Sequence, residues 1–157
     1  MMTSNERAFL DMIAFSEIGP ALLAVSDNGY NVIVGSTAEN PHLFTDYSNH
    51  PHQFIHLGNG IVSTAAGRYQ LLGKYFDAYA RVLGLRDFSP ASQDAIALQQ
   101  IRECRALPAI ETGDFAEAVA LCSHIWASLP GSPYGQHTNS LADLEKADED
   151  AGGYVHD

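Results

Sequence analysis

The chain has 157 residues, 46% of them hydrophobic, which suits one compact domain built on a single core. Eight Lys and Arg stand against nineteen Asp and Glu, a formal net charge of −11, so the field around the molecule repels phosphate backbones and anionic lipid and argues against nucleic acid as a partner. No stretch approaches the ~20 apolar residues of a membrane span, and the start Met1-Met2-Thr3-Ser4-Asn5-Glu6-Arg7 lacks the basic segment and cleavage site of a secretory signal, which predicts a soluble product of the cytoplasm with no membrane insertion.

The first predicted helix opens on a capping box, Thr3 with Glu6 three residues on. Phe9, Met12, Ile13 and Ser16 then share one face that should enter the core, and Gly19-Pro20 stops the helix just past Glu17. Glu17 therefore ends an otherwise apolar helical run. A carboxyl group held there loses water, which disfavours its charged form, raises its pKa and suits it to give up a proton near neutral pH. The same pattern also fits a solvated glutamate at a helix end.

From Ala21 to Gly60 short runs alternate with turn residues such as Asp27-Asn28-Gly29 and Gly35-Ser36. Tyr30 to Val34, β-prone and bounded by glycine on both sides, is the best strand, and a two- or three-stranded sheet is expected around it. His42, His50, His52 and His56 fall close together, but Pro51 keeps His50 and His52 off one helical face and no cysteine lies near, so this stretch reads as a mobile loop without a metal. Gly58-Asn59-Gly60-Ile61-Val62-Ser63 begins like a dinucleotide fingerprint but has serine where the third glycine belongs. Neither a P-loop nor a Gly-x-Ser-x-Gly elbow is present, so nucleotide and serine hydrolase chemistry lack support.

Ser63 to Leu72 is a run of small residues leading to Tyr69 and Gln70, where a polymer can approach the backbone, an aromatic can stack on a sugar and an amide can bond hydroxyl or N-acetyl groups. Tyr69 fits the core equally well, and Gln70 fits solvent. A helical period runs from Arg68, with Leu72, Tyr75, Phe76, Tyr79 and Leu83 on one face and Gly84 at the end; a second helix runs from Ser89-Pro90 through Ile101. Asp114 and Glu117 form another capping box ahead of Phe115, Val119, Cys122, Ile125, Trp126 and Leu129, closed by Pro130-Gly131. Cys104 and Cys122 read as small buried hydrophobes. The acidic tail from about residue 139 reads as a short solvated helix that frays. The whole is a mainly helical α+β domain.

In order and spacing, Ala8 to Glu17, Gly29 to Gly35, Leu43-Phe44-Thr45-Asp46-Tyr47-Ser48, Ala66 to Leu71, Asp87-Phe88-Ser89-Pro90, Ala97-Leu98-Gln99-Gln100, Ile125 to Pro130 and Tyr134-Gly135-Gln136 resemble the phage lambda endolysin family of small lysozyme-like enzymes, over roughly Glu6 to Gln136. The resemblance implies a two-lobed lysozyme-like fold over residues 1–157, with a small sheet and a saccharide cleft between the lobes. It places the family's catalytic glutamate on Glu17 and cleft positions on Asp46, Tyr47, Tyr69, Gln70, Tyr134 and Gln136, with lips at 48–60 and 130–139. It further implies a monomer without cofactor or metal that acts on peptidoglycan glycan strands in the periplasm, released from the host cytoplasm by a separate holin-like pore. Two features depart from the family: the apolar Ala21-Leu22-Leu23-Ala24-Val25, and an acidity unexpected for a chain approaching an anionic wall polymer.

The activity so implied is lytic transglycosylation, with Glu17 as acid and then base and a 1,6-anhydro-N-acetylmuramoyl product. A hydrolytic muramidase using Asp27, Asp46 or Asp11 as second carboxylate, a silent glycan-binding domain and, least well supported, a zinc peptidase are the competing readings.

Overall fold

The computed structural model describes residues 2–132 and 138–156. In it the first capping box closes in both directions, the Thr3 amide donating to Glu6 Oε1 at 3.1 Å and the Glu6 amide to Thr3 Oγ1 at 3.1 Å, and this starts α1 (Ser4–Glu17). The chain divides into two compact units, one made of Met1–Glu17 with Ala97–Asp157 and the other of Ile18–Ile96.

In the first unit α1 buries Ala8, Phe9, Leu10, Met12, Ile13 and Ala14, more of its circumference than a single stripe. The reason is that two helices pack on it, α5 (Leu107–Thr112) and α7 (Leu141–Asp150). Helix α4 (Pro90–Glu103) crosses from one unit into the other and brings the buried Ile101 into the first. The short α5 was not visible in the sequence; it begins on Leu107-Pro108 and is closed by Gly113 at φ 80. Asp114 caps α6 (Phe115–Cys122), and Phe115 meets Phe9 edge to face at 6.0 Å.

Two expectations for this unit fail. The helix begun at Phe115 stops at Cys122, where the Ser123 hydroxyl bonds back to the Ala120 carbonyl at 2.9 Å, yet Trp126 and Leu129 remain buried on the turns that follow. The acidic tail does not fray into solvent. Ser140 caps α7, and Leu144 and Asp148, four residues apart on one face, are its buried residues, because α7 packs on α1. Cys104 and Cys122 are free and buried, as read.

In the second unit, α2 (Pro20–Val25) begins on the proline that ends the first helix, since proline suits the first turn of a helix as well as it breaks the last one. Tyr30 to Val34 is not a strand. Val32 bridges Leu43 and Ile33 bridges Ala66, so successive residues serve different neighbours, and Gly29 and Gly35, at φ 85 and 86, bend the chain at both ends before a ladder can grow. The sheet lies instead where a loop was expected. β1 (Ile55–Gly58) and β2 (Ile61–Ser63) pair antiparallel around Gly58, Asn59 and Gly60, which have φ of 92, 53 and 76, so the apparent dinucleotide fingerprint is a hairpin turn.

Ala66 and Leu71 exchange both backbone bonds, 3.0 and 2.9 Å, and this tight loop delays α3 to Gly73–Leu83. Gly84 at φ 68 ends it. On α3 Phe76 is buried, while Tyr75, expected on the same face, is exposed. Phe76 joins Ile33, Phe44, Ala66, Leu71, Phe88 and Ile96 in the core of this unit.

Candidate active site

Glu17 is the last residue of α1, and the buried run before it holds the helix rigidly enough to aim its side chain. The residue is half-buried, and loss of water pushes its carboxyl from 4.5 to about 6, against a smaller opposing pull from the Ser128 hydroxyl. Ser128 donates to Glu17 Oε2 at 2.6 Å. Ser128 Oγ lies 2.7 Å from Ser16 Oγ, and Asn139 Nδ2 donates to Ser16 Oγ at 3.0 Å and to the Ser16 carbonyl at 3.2 Å. The Asn139 amide also donates to the Ser128 carbonyl at 2.9 Å, which ties the two serine-bearing segments together behind the carboxyl. A carboxylic acid in this setting is protonated over part of the neutral range and can donate, and as a carboxylate it keeps one fixed hydrogen bond.

The three aspartates weighed as a second carboxylate are each engaged. Asp11, six residues before Glu17 on α1, pairs with Arg7 at 4.0 Å. Asp27 accepts the Tyr47 hydroxyl at 2.5 Å. Asp46 accepts the Ser48 amide at 2.9 Å, and the Ser48 hydroxyl and amide hold its carboxyl below the usual range. Loss of water, then the bond to Asp27, pushes the Tyr47 phenol well above its ordinary value, so Tyr47 acts only as a neutral donor and acceptor.

Tyr69 is not presented to a ligand. It is 5% exposed, donates to Asp94 Oδ1 at 2.6 Å and accepts from Arg68 Nη1 at 3.1 Å. Arg68 donates through Nε to the Asn28 carbonyl at 2.9 Å, and the Tyr30 hydroxyl reaches Asp94 at 3.0 Å. Tyr69 therefore belongs to a buried polar network that fastens the 66–71 loop to α4, and the stacking role read from its sequence is corrected on that ground. Half-buried Gln70 sits at φ 51 and donates from its side-chain amide to the Gly67 carbonyl at 2.8 Å and to the Val32 carbonyl at 3.3 Å, so its first task is to hold the same loop. Tyr134 and Gln136 lie outside the described residues.

Two of the clustered histidines, His50 and His52, are occupied as well. Buried His50 accepts from the His52 amide at Nδ1, 2.9 Å, and bonds the Leu71 carbonyl through Nε2, 2.8 Å; burial pulls its pKa down. His52 contacts the His50 carbonyl at 2.7 Å and Asp77 at 2.9 Å. Among the described residues no group of three or more His, Cys, Asp or Glu is arranged to hold a metal.

A protein-family model described as Endolysin matches residues 7–155 of the chain. The chain belongs to the Endolysin family. It is 48% identical to the endolysin of Escherichia phage lambda, across 99% of this chain and 96% of that protein, and 46% identical to the endolysin of Escherichia phage P2, across 95% and 93%. Its fold superposes on bacteriophage lambda lysozyme complexed with a chitohexasaccharide with a TM-score of 0.92 at 48% identity, covering 99% of both chains. A second structure, lysozyme from bacteriophage lambda, gives 0.84 at 47% identity, again over 99% of each. The fold of this endolysin chain is thus the mainly helical α+β fold of lambda lysozyme.

Reading the sequence missed Ser128 as the partner of Glu17, and Ser16 and Asn139 as the residues bonded to it in turn. The signal for Ser128 was within reach, because the Ile125 to Pro130 motif carries it; nothing in the tail marked Asn139, whose part depends on a contact across 123 positions of chain.

Proposed function

We propose that this endolysin cleaves the MurNAc–GlcNAc β-1,4 bond of peptidoglycan glycan strands as a lytic transglycosylase, with Glu17 as its single acid and base. Glu17, protonated, gives its proton to the glycosidic oxygen as the bond from that oxygen to the muramoyl anomeric carbon breaks. The resulting carboxylate takes the proton of the muramoyl 6-hydroxyl, whose oxygen bonds the same anomeric carbon, so Glu17 ends as it began and no water is consumed. The nucleophile is held within the substrate, which gives it a high effective molarity without help from a second carboxylate or a cofactor.

The observation that carries this reading is the setting of Glu17. Its carboxyl is raised to about 6 by loss of water and tempered by one serine hydroxyl, while Asp11, Asp27 and Asp46 are each engaged with other partners. A hydrolytic pair would instead place two carboxyl groups about 5 to 10 Å apart. The saccharide in the related lambda lysozyme complex supports a glycan as ligand. Asp46, Tyr47, Gln70, Tyr134 and Gln136 are the proposed glycan contacts, and the enzyme acts in the periplasm as a monomer after a separate pore lets it out of the cytoplasm.

Mass spectrometry of fragments released from purified peptidoglycan tests the mechanism. Transglycosylation leaves 1,6-anhydro-muramoyl ends, one water lighter than the reducing ends a muramidase leaves. Reducing ends throughout would reject it in favour of hydrolysis.

A further inference from the structure

The hydrogen bonds behind Glu17 have a forced direction. Asn139 Nδ2 lies against the Ser16 backbone carbonyl as well as the Ser16 hydroxyl. A carbonyl can only accept, so the atom facing it is the amide NH2, and that group must also donate to Ser16 Oγ. The Ser16 hydroxyl proton is then directed to Ser128 Oγ, 2.7 Å away, and the Ser128 proton to Glu17 Oε2 at 2.6 Å.

We infer that Asn139, Ser16 and Ser128 form a one-way donor chain that keeps Glu17 Oε2 as an acceptor and confines the transferable proton to Oε1. This rests on the reading of Glu17 as the acid and base, and it makes Ser128 and Asn139 positioning residues for both halves of the reaction. With Oε2 receiving a hydrogen bond, a proton on that oxygen would collide with the Ser128 proton, so the neutral acid carries it on Oε1. After transfer the same bond stabilises the carboxylate, which must survive until it takes the 6-hydroxyl proton. Among the described residues, loss of water and the Ser128 hydroxyl are what act on the Glu17 carboxyl, and the inference rests on the direction of these hydrogen bonds and not on a neighbouring charge.

The test is carbon-13 NMR titration of the Glu17 carboxyl in the full chain, alongside the pH profile of kcat. Ser128→Ala should raise the midpoint by roughly one to two pH units, the worth of a hydrogen bond to a charged acceptor, while Ser128→Thr, which keeps the hydroxyl, should restore it. Asn139→Asp is the sharper variant. An aspartate cannot donate, so Ser16 turns to donate to it, Ser128 turns to Ser16 and Glu17 loses its donor; the midpoint should rise as it does in Ser128→Ala. In a Ser16→Ala background the link is cut, and Asn139→Asp should then move Glu17 only by the weaker effect of its added charge. An unchanged midpoint in Ser128→Ala would overturn the chain, and so would an Asn139→Asp shift that is equal with and without Ser16. If the NMR midpoints move as described while the kcat profile stays fixed, the chain stands and the role of Glu17 as acid and base is what fails.

Discussion

Replacing Asp148 by asparagine should make the protein more stable, and only at high pH. Asp148 lies on α7, is 4% exposed, and sits so close under Gly153 that a Cβ there would collide with its carboxyl. Loss of water, then Glu149, Asp11 and Glu145, push its pKa from 3.8 to about 7. Between those two values the folded chain keeps a proton that the unfolded chain has released. The folded state is therefore favoured most below pH ~4, loses stability as pH rises towards ~7, and changes no further through this group above that. A gap of about three pH units corresponds to at most ~4 kcal/mol, and partial screening by solvent brings the expected figure to about 2–4 kcal/mol. For a chain of this size that is a rise of roughly 5–15 °C in Tm at pH 8 for Asp148→Asn over the parent, shrinking towards zero at pH 4 where both side chains are neutral. Calorimetric melts of the two proteins at pH 4, 6 and 8 measure the difference directly. A gain that is the same at all three pH values, or a loss at pH 8, would show that Asp148 is ionised in the fold and that the reasoning from burial is wrong.

Glu17→Gln should lower cell-wall cleavage by about 10²- to 10⁴-fold, because the amide cannot transfer a proton, and should raise stability by about 1–2 kcal/mol at pH 8, where the parent must hold an ionised buried carboxyl; turnover assays and melts check both. Parent activity on permeabilised cells should fall as pH rises through about 6, since in the proposed mechanism only the protonated form of Glu17 starts the reaction. Leu144→Ala should cost about 2–5 kcal/mol in denaturant unfolding, for its side chain is fully buried. Gly67→Ala should destabilise by about 2–4 kcal/mol, as a Cβ there, at φ 85, would strike the Gln93 side chain and come within 2.9 Å of Phe88. EDTA should leave turbidity loss unchanged, since both ring nitrogens of His50 and of His52 already have protein partners.

What could be read in advance was whatever depends on a few adjacent residues. Thr3 with Glu6, Ser89 with Pro90 and Asp114 with Glu117 each mark a helix start through local bonds, and all three were legible. For Glu17, the polar end of an apolar helix, local pattern left loss of water and solvent exposure both open, and the structure decides for loss of water. The failures lie where distant chain decides. Tyr30 to Val34 has the composition of a strand but lacks one continuous neighbour to pair with, whereas Ile55 to Gly58 looked like loop and finds its partner three residues after it ends. Tyr69 fits a sugar-stacking aromatic and a core residue equally well from sequence, and only Asp94, 25 residues away, decides between them by claiming its hydroxyl. The tail was misjudged because its charge was counted and the spacing of Leu144 and Asp148 was not, and that spacing matters only once α1 is present to receive it.

The unit that carries Glu17 is interrupted by the whole of Ile18–Ile96, and this orders events during synthesis. Helix α1 is made before α5 and α7, so its apolar surface must wait for about ninety to one hundred and thirty further residues before it is covered. Ile18–Ile96 is contiguous and can close on itself in the meantime. Closing the long loop back to α1 carries the entropic cost of a long-range contact, and the hydrogen bond from Ser128 to Glu17 cannot form before it. A chain cut before Ser128 therefore lacks the hydroxyl that bonds Glu17, so the surroundings of that carboxyl depend on a segment more than one hundred positions away in the sequence.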